Sequence, residues 1–282
     1  MRSQNFNDNK PLLYLVPTPI GNLDEFSPRA LEVIRNADLI ACEDTRMTLK
    51  LLGFFNITKP VISIREHNEV SEAENIIPRI KNGIKVVYMS DAGYPCISDP
   101  GSKLVALALQ NDINVSCISG PNAALNALVC SGISCDHFYF HGFLDAREKA
   151  RRDELRELKN KKETLIFYES PHRISKTLQD MYLIFGARKA CLARELTKKH
   201  EEFIRLNLKE LSEIDPTTLI GEMVIVVEGN NDEVQIEFNN EEIVDMVDKL
   251  TKSGMSAKDA IKEVSSLTKL NKNYIYKIYH LN

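Results

Sequence analysis

The 282 residues carry 36 lysines and arginines against 40 aspartates and glutamates, a formal net charge of −4, and 43% of them are hydrophobic. That much apolar side chain offsets chain entropy and excludes disorder throughout. The most apolar runs, Leu12–Val16 and Met223–Val227, are strand-sized, far short of the roughly 20 residues of a spanning helix, so no membrane partner is expected.

Residues 1–11 are polar, lack the apolar core of a secretory signal, and are expected to form a frayed tail. From Leu12 to Ser131, short apolar runs alternate with helical patterns. Strands are expected at Leu12–Val16, Asp38–Cys42, Val61–Ile64, Ile84–Met89 and Val115–Ile118. Helices are expected at Ser27–Asn36, Thr45–Gly53, Glu69–Asn82, Gly101–Gln110 and Pro121–Ser131. β-Branched runs without strict alternation suit strands covered on both faces, and this order implies a parallel sheet. Ser27–Pro28 reads as an N-cap with proline at the first helical position.

After Phe143 the pattern changes. Residues 145–163 are rich in arginine and lysine, including Arg151 and Arg152. Strands follow at Thr164–Tyr168, Lys189–Arg194, Phe203–Asn207 and Met223–Glu228, with a helix at His172–Ile184. Two successive strands near 190–207 suggest an antiparallel hairpin in a mixed sheet. The fold class is therefore α/β, with a first domain at 12–121 and a second at 122–230. The segment 240–282 is helical only. Its apolar stripes are Ile243, Val244, Val247 and Leu250, then Ala257, Ala260, Ile261 and Val264, then Tyr274, Ile275, Ile278 and Tyr279. Such a trihelical unit resembles a helix-turn-helix, and its lysines, Lys249, Lys269, Lys272 and Lys277 among them, make it locally basic. It is read either as a capping or dimer-stabilising appendage or as a nucleic-acid contact.

The six cysteines include no C-x-x-C pair and are expected to be free thiols in a reducing cytoplasm. Cys135, His137 and His141 form a local cluster, but residues i and i+4 of a strand lie about 13 Å apart, so no metal is expected.

The chemistry is expected in the loops that follow the strands. No G-x-G-x-x-G follows the first strand and no Walker loop is present. The first strand runs instead into Pro17-Thr18-Pro19-Ile20-Gly21-Asn22, the fourth into Ser90-Asp91-Ala92-Gly93 and Ile97-Ser98-Asp99-Pro100-Gly101, and the fifth into Ser119-Gly120-Pro121-Asn122-Ala123. Small residues at the carboxyl ends of parallel strands let a ligand approach the backbone. Asp91 could take a charged group, while Asp99 reads as the N-cap of the next helix. Three such loops would line one cleft.

Together with Glu43-Asp44-Thr45-Arg46, Glu66-His67-Asn68-Glu69, Phe167-Tyr168-Glu169-Ser170-Pro171-His172-Arg173 and Ala193-Arg194-Glu195-Leu196-Thr197-Lys198, these loops resemble the motif series of the ribosomal RNA small subunit methyltransferase I family, within the tetrapyrrole methylase-like superfamily. Departures occur at Met47, Tyr94, Cys96 and Asp145. The resemblance implies two α/β domains of the tetrapyrrole methylase type, a homodimer, and S-adenosylmethionine-dependent 2′-O-methylation of a cytidine in the decoding region of 16S rRNA, within the 30S subunit. It implies a cofactor site at Pro19, Asp91, Gly93, Asn122, Ala123, Tyr168, Ala193 and Gly221. From charge and placement, Glu169 or Glu195 is expected to accept the proton or orient the hydroxyl, with Arg46 the third catalytic candidate, holding a phosphate. Arg151, Arg152, Arg194 and Lys198 are expected to meet RNA phosphates. A methyltransferase acting on a tetrapyrrole and a non-catalytic RNA-binding assembly factor are the alternatives.

Overall fold

The computed structural model describes residues 11–231, 239–268 and 270–281. Apart from Pro11, the expected tail lies outside the described residues, as does Lys269. The described residues fall into two compact units, one up to Asn230 and one from Asn231 onward.

The first unit opens with β1 (Leu12–Val16), α1 (Pro28–Arg35), β2 (Leu39–Cys42), α2 (Thr45–Phe54) and β3 (Val61–Ser63). It continues with α3 (Glu69–Lys81), β4 (Val86–Met89), α4 (Ser102–Gln110) and β5 (Asn114–Cys117). These strands form one parallel sheet in the order β3-β2-β4-β1-β5, as the strand–helix alternation predicts. Successive residues point to opposite faces, and both faces are covered. Val86 and Tyr88 pack with Ile76, Ile80 and Leu104 on one side. Val87 and Met89 pack with Ile34 and Leu52 on the other. The expected N-cap is present, with the Ser27 side chain accepting from the Ala30 N–H.

Next come α5 (Ala123–Ser131), β6 (Phe138–Phe143), α6 (Glu148–Leu158), β7 (Thr164–Glu169), α7 (Ile174–Phe185), β8 (Lys189–Arg194), β9 (Glu202–Asn207), α8 (Leu208–Ser212) and β10 (Met223–Val227). The second sheet has the order β6-β7-β10-β8-β9 and is mixed: β6 and β7 are parallel, all other pairs antiparallel, and β8–β9 is the expected hairpin. Leu165 and Phe167 face a core shared with α6 and α7. Ile166 faces α5, through Ala124, Ala127 and Leu128. Strand β6 covers most of the run 137–141 that was read with strand spacing, whereas helix α6 was not among the expected elements.

The second unit holds α9 (Asn240–Lys252), α10 (Ala257–Thr268) and α11 (Lys272–Leu281). Each packs on the other two around Ile243, Val247, Ile261, Val264 and Ile275. Among the described residues no helix is long and apolar enough to cross a membrane.

Candidate active site

The β1, β4 and β5 loops are joined at the carboxyl edge of the parallel sheet. Thr18 and Gly93 exchange two backbone hydrogen bonds, each 3.0 Å, and the Thr18 hydroxyl donates to the Ser90 carbonyl at 3.1 Å. Gly120 lies so close to Pro17 that a Cβ there would sit 2.8 Å from the proline ring. Tyr94, a departure from the family pattern, accepts the Gly120 N–H at 3.0 Å on its hydroxyl. It thereby ties the second loop to the third.

These loops and the ends of β7 and β10 enclose a cleft of about 480 Å³, a size suited to a small organic ligand. Asp91, Gly93, Asn122, Ala123 and Tyr168 line it, as expected for a cofactor site. So do Glu43, Ile97, Asp99, Phe143, Glu169 and Leu196. Among the described residues, the lining contains five carboxylates and no lysine, arginine or histidine. Burial and the nearby Asp91 raise the Glu43 carboxyl, and burial raises Asp91, which accepts the Asp44 N–H at 3.2 Å. Asp99 is perturbed most. Burial, together with repulsion from Glu43 and Asp91, pushes it up to about 7. It also has no hydrogen-bond donor among the described residues.

The N-cap expected of Asp99 is not formed. Helix α4 starts after Gly101, and the Gly101 and Lys103 amides donate to Glu69 Oε1 at 2.9 and 2.7 Å. Glu69 is 3% exposed, so the acid that closes the Glu66–Glu69 motif serves as a remote cap, which leaves Asp99 to the cleft. The same loop holds Cys96 and Ser98 at φ 70° and 61°, conformations that non-glycine residues rarely adopt outside functional turns. Sequence reasoning missed Asp99 because a cap explained it locally. The signal it offered was its place beside Asp91 on one strand-end loop.

The remaining predicted residues lie around the cleft. Pro19 and Ala193 are not on its wall, but Ile20 is, and Ala193 packs under it, fully buried. Gly221, at φ 87°, does not line the cleft either. A Cβ there would overlap the Glu195 carboxylate, so only glycine fits. Glu195 Oε1 accepts from Lys198 Nζ at 3.0 Å and from the Glu222 N–H at 3.2 Å, and chiefly the lysine holds its carboxyl below the usual range. Lys198 also reaches Glu222 at 3.1 Å. Gly221→Ala should therefore displace Glu195 and cost roughly 1–3 kcal/mol of fold stability, from a strained left-handed residue and about one lost charge-assisted hydrogen bond, read in thermal and urea unfolding.

Glu169 is on the wall but engaged. Ser170 N–H donates to its Oε1 at 2.8 Å and Thr177 Oγ1 to its Oε2 at 2.6 Å, while Arg173 Nε stands 3.4 Å from it. Arg46 is outside the cleft, 84% exposed, and paired with Asp44. Arg194 pairs with Glu202 across the hairpin. Arg151 is buried at 3% exposure, and Arg152 binds the same Asp180 from the surface. The structure therefore does not present the Arg151 guanidinium to a ligand.

A parallel sheet followed by a mixed sheet, with strand-end loops around an acidic cleft, defines a methylase of the tetrapyrrole type, and residues 12–212 match the family model of Tetrapyrrole (Corrin/Porphyrin) Methylases. The solved structure of the methyltransferase CobJ superposes with a TM-score of 0.59 at 17% identity, over 78% of this chain and 95% of that one. The chain is 44% identical to the ribosomal RNA small subunit methyltransferase I of Halalkalibacterium halodurans, over 97% of this chain and 96% of that one. It is 41% identical to that of Bacillus subtilis, over 99% and 98%. It belongs to the ribosomal RNA small subunit methyltransferase I family and is a methyltransferase.

Proposed function

We propose that this enzyme, as a cytoplasmic homodimer, methylates the ribose 2′-oxygen of a cytidine in the decoding region of 16S rRNA within the 30S subunit, with S-adenosylmethionine as methyl donor. The observation that carries the cofactor is the cleft itself, whose wall has five carboxylates and no basic side chain. The donor, a cation at its sulfonium and ammonium, suits Asp91, Asp99 and Glu43, while Ala92, Gly93 and Ala123 leave room for its backbone-close parts and Phe143 and Tyr168 for a flat ring. Its chemistry when bound is to supply an activated methyl group. The RNA substrate follows from the names that the relatives carry.

The chain's own part is to hold both partners in line, keep water out and take a proton. Ile97, Phe143, Leu196 and Val224 supply the apolar wall. Of the two carboxylates expected at the hydroxyl, Glu169 is the one lining the cleft, and the Ser170 N–H and Thr177 Oγ1 hold it in place as the proton acceptor. Glu195 positions Lys198 for a phosphate. Arg152 and Arg194 join Lys198 as phosphate contacts.

Methyl transfer from radiolabelled donor to 30S subunits lacking their own 2′-O modification, with the product mapped by nucleotide, tests this reading. Label on a single cytidine ribose is the expected result. Label on a tetrapyrrole and none on RNA would overturn it, as would an intact protein that binds RNA but no donor.

A further inference from the structure

We infer that the outward face of α11 is a docking surface for an unpaired stretch of the substrate RNA, with Tyr276 stacking on a base and Lys272 and Lys277 on flanking phosphates. The inference rests on the reading that the substrate is RNA.

Ile275 is the buried residue of this helix, the exposed positions Asn273, Tyr276, Lys277 and His280 share the side away from it, and exposed Lys272, one turn before Tyr276, borders that side. The three tyrosines of the helix differ in what they do. Tyr274 donates its hydroxyl to Asn240 Oδ1 at 3.1 Å, and Tyr279 donates to Asp248 Oδ1 at 3.0 Å. Both therefore tie α11 to α9. Tyr276 is 57% exposed, and its hydroxyl has no partner among the described residues. Its ring lies 4.3 Å from that of His280, so an aromatic pair is held at the surface without a structural task.

Charge on this face is all of one kind. Helix α11 contains no aspartate or glutamate, whereas α9 and α10 carry the acids of the unit. Lys249 on α9 is paired with Asp245 at 2.7 Å, while Lys272 and Lys277 have no carboxylate partner among the described residues. Lys272 also occupies the first turn, where the helix dipole disfavours a cation and adds to the attraction for an anion. The face has no exposed aliphatic side chain among the positions just named, which argues against a second copy of the chain seated on it. Aromatic rings between unpaired lysines are the chemistry that holds single-stranded nucleic acid without reading its sequence.

The test uses the full chain and a labelled single-stranded RNA of the decoding-region sequence, followed by fluorescence anisotropy across a salt series. Tyr276→Ala should weaken binding about 10-fold, and Tyr276→Phe should restore it. The double variant Lys272→Gln/Lys277→Gln should reduce the slope of log affinity against log salt by about 1.4, two phosphates' worth on a single strand. Calorimetric affinity for the donor should stay unchanged in all three. Unchanged RNA affinity and slope in variants of a protein that methylates RNA normally would overturn this inference and leave the RNA reading intact. A wild-type chain that neither binds nor methylates RNA would overturn both. Loss of affinity that tracks dissociation of an oligomer in sedimentation would assign the face to a second copy instead.

Discussion

Asp99→Asn is expected to weaken S-adenosylmethionine binding by 10- to 100-fold at about pH 8, roughly 1.4–2.8 kcal/mol, while raising the stability of the unliganded fold. Both effects come from one cause. The Asp99 carboxyl is sequestered beside Glu43 and Asp91 without a hydrogen-bond donor, and these conditions push it up to about 7. Asp99 in turn helps to raise Cys96, Tyr88 and Tyr168. Arg65 is the cation that acts on Glu43 and Asp91. A cation entering the cleft relieves this repulsion, and an amide in place of the acid forgoes the attraction.

The sign with pH follows. The folded Asp99 holds its proton more tightly than the unfolded chain, whose aspartate titrates near about 3.9. Stability therefore falls as pH rises from about 4 to about 7, and above that the whole cost is present. Each unit of such a shift is about 1.4 kcal/mol, and with roughly half screened by solvent the asparagine variant gains about 2 kcal/mol at pH 8. That is about 5 °C in thermal unfolding. Donor affinity runs the other way. It rises from about pH 6 to about pH 8 as Asp99 ionises, and binding near neutrality releases a proton, visible as buffer-dependent heat in calorimetry. An asparagine variant with wild-type affinity and a flat pH profile would remove Asp99 from the site.

The three strand-end loops were legible because their signals are local: a strand, then small residues, prolines and an aspartate, then a helix. Asp91, Gly93, Asn122 and Ala123 accordingly stand on the cleft wall. The contacts that the sequence does not show depend on partners far along the chain. Glu69 caps a helix through amides 32 and 34 residues later, and that frees Asp99 from the role its own neighbours suggest. The resemblance implies a cofactor contact at Gly221, and the contact that the fold adds, a Cβ there overlapping Glu195, needs a partner that only the folded chain brings near. Strand β6 was legible only as the run 137–141, and its extension to Phe143 passes a register shift between Phe140 and Gly142, where Gly142 takes φ 84°. In the basic segment 145–163, sequence alone could not tell which arginine turns inward, since that is decided by an acid on another helix.

That acid is Asp180, and Arg151→Ala is expected to destabilise the enzyme by about 3–5 kcal/mol, lowering the unfolding midpoint by roughly 10 °C. Arg151 and Asp180 are each 3% exposed. Arg151 Nε and Nη2 meet Asp180 Oδ2 at 2.8 and 2.7 Å, and Nη1 reaches the Ala146 carbonyl at 3.2 Å. Arg152 Nε takes the other oxygen at 2.7 Å. One carboxylate on α7 is thus gripped by two adjacent arginines of α6, which fixes the basic helix to the second sheet's outer layer. Removing Arg151 leaves a buried carboxylate with one of these three donors, and the penalty is the desolvation of that charge rather than the worth of the pair. Arg152→Ala removes the outer partner only, and the inner pair survives. The stability loss should therefore be markedly smaller, while the surface charge available to phosphate falls. The double change Arg151→Met/Asp180→Leu separates burial from pairing. If the pair contributes mainly by satisfying its own buried charge, this apolar variant recovers most of the stability that Arg151→Ala loses, measured by thermal and urea unfolding. Equal losses for Arg151→Ala and Arg152→Ala would show that the inner arginine is no more sequestered than the outer one, and Arg151 would return to the candidates for RNA contact.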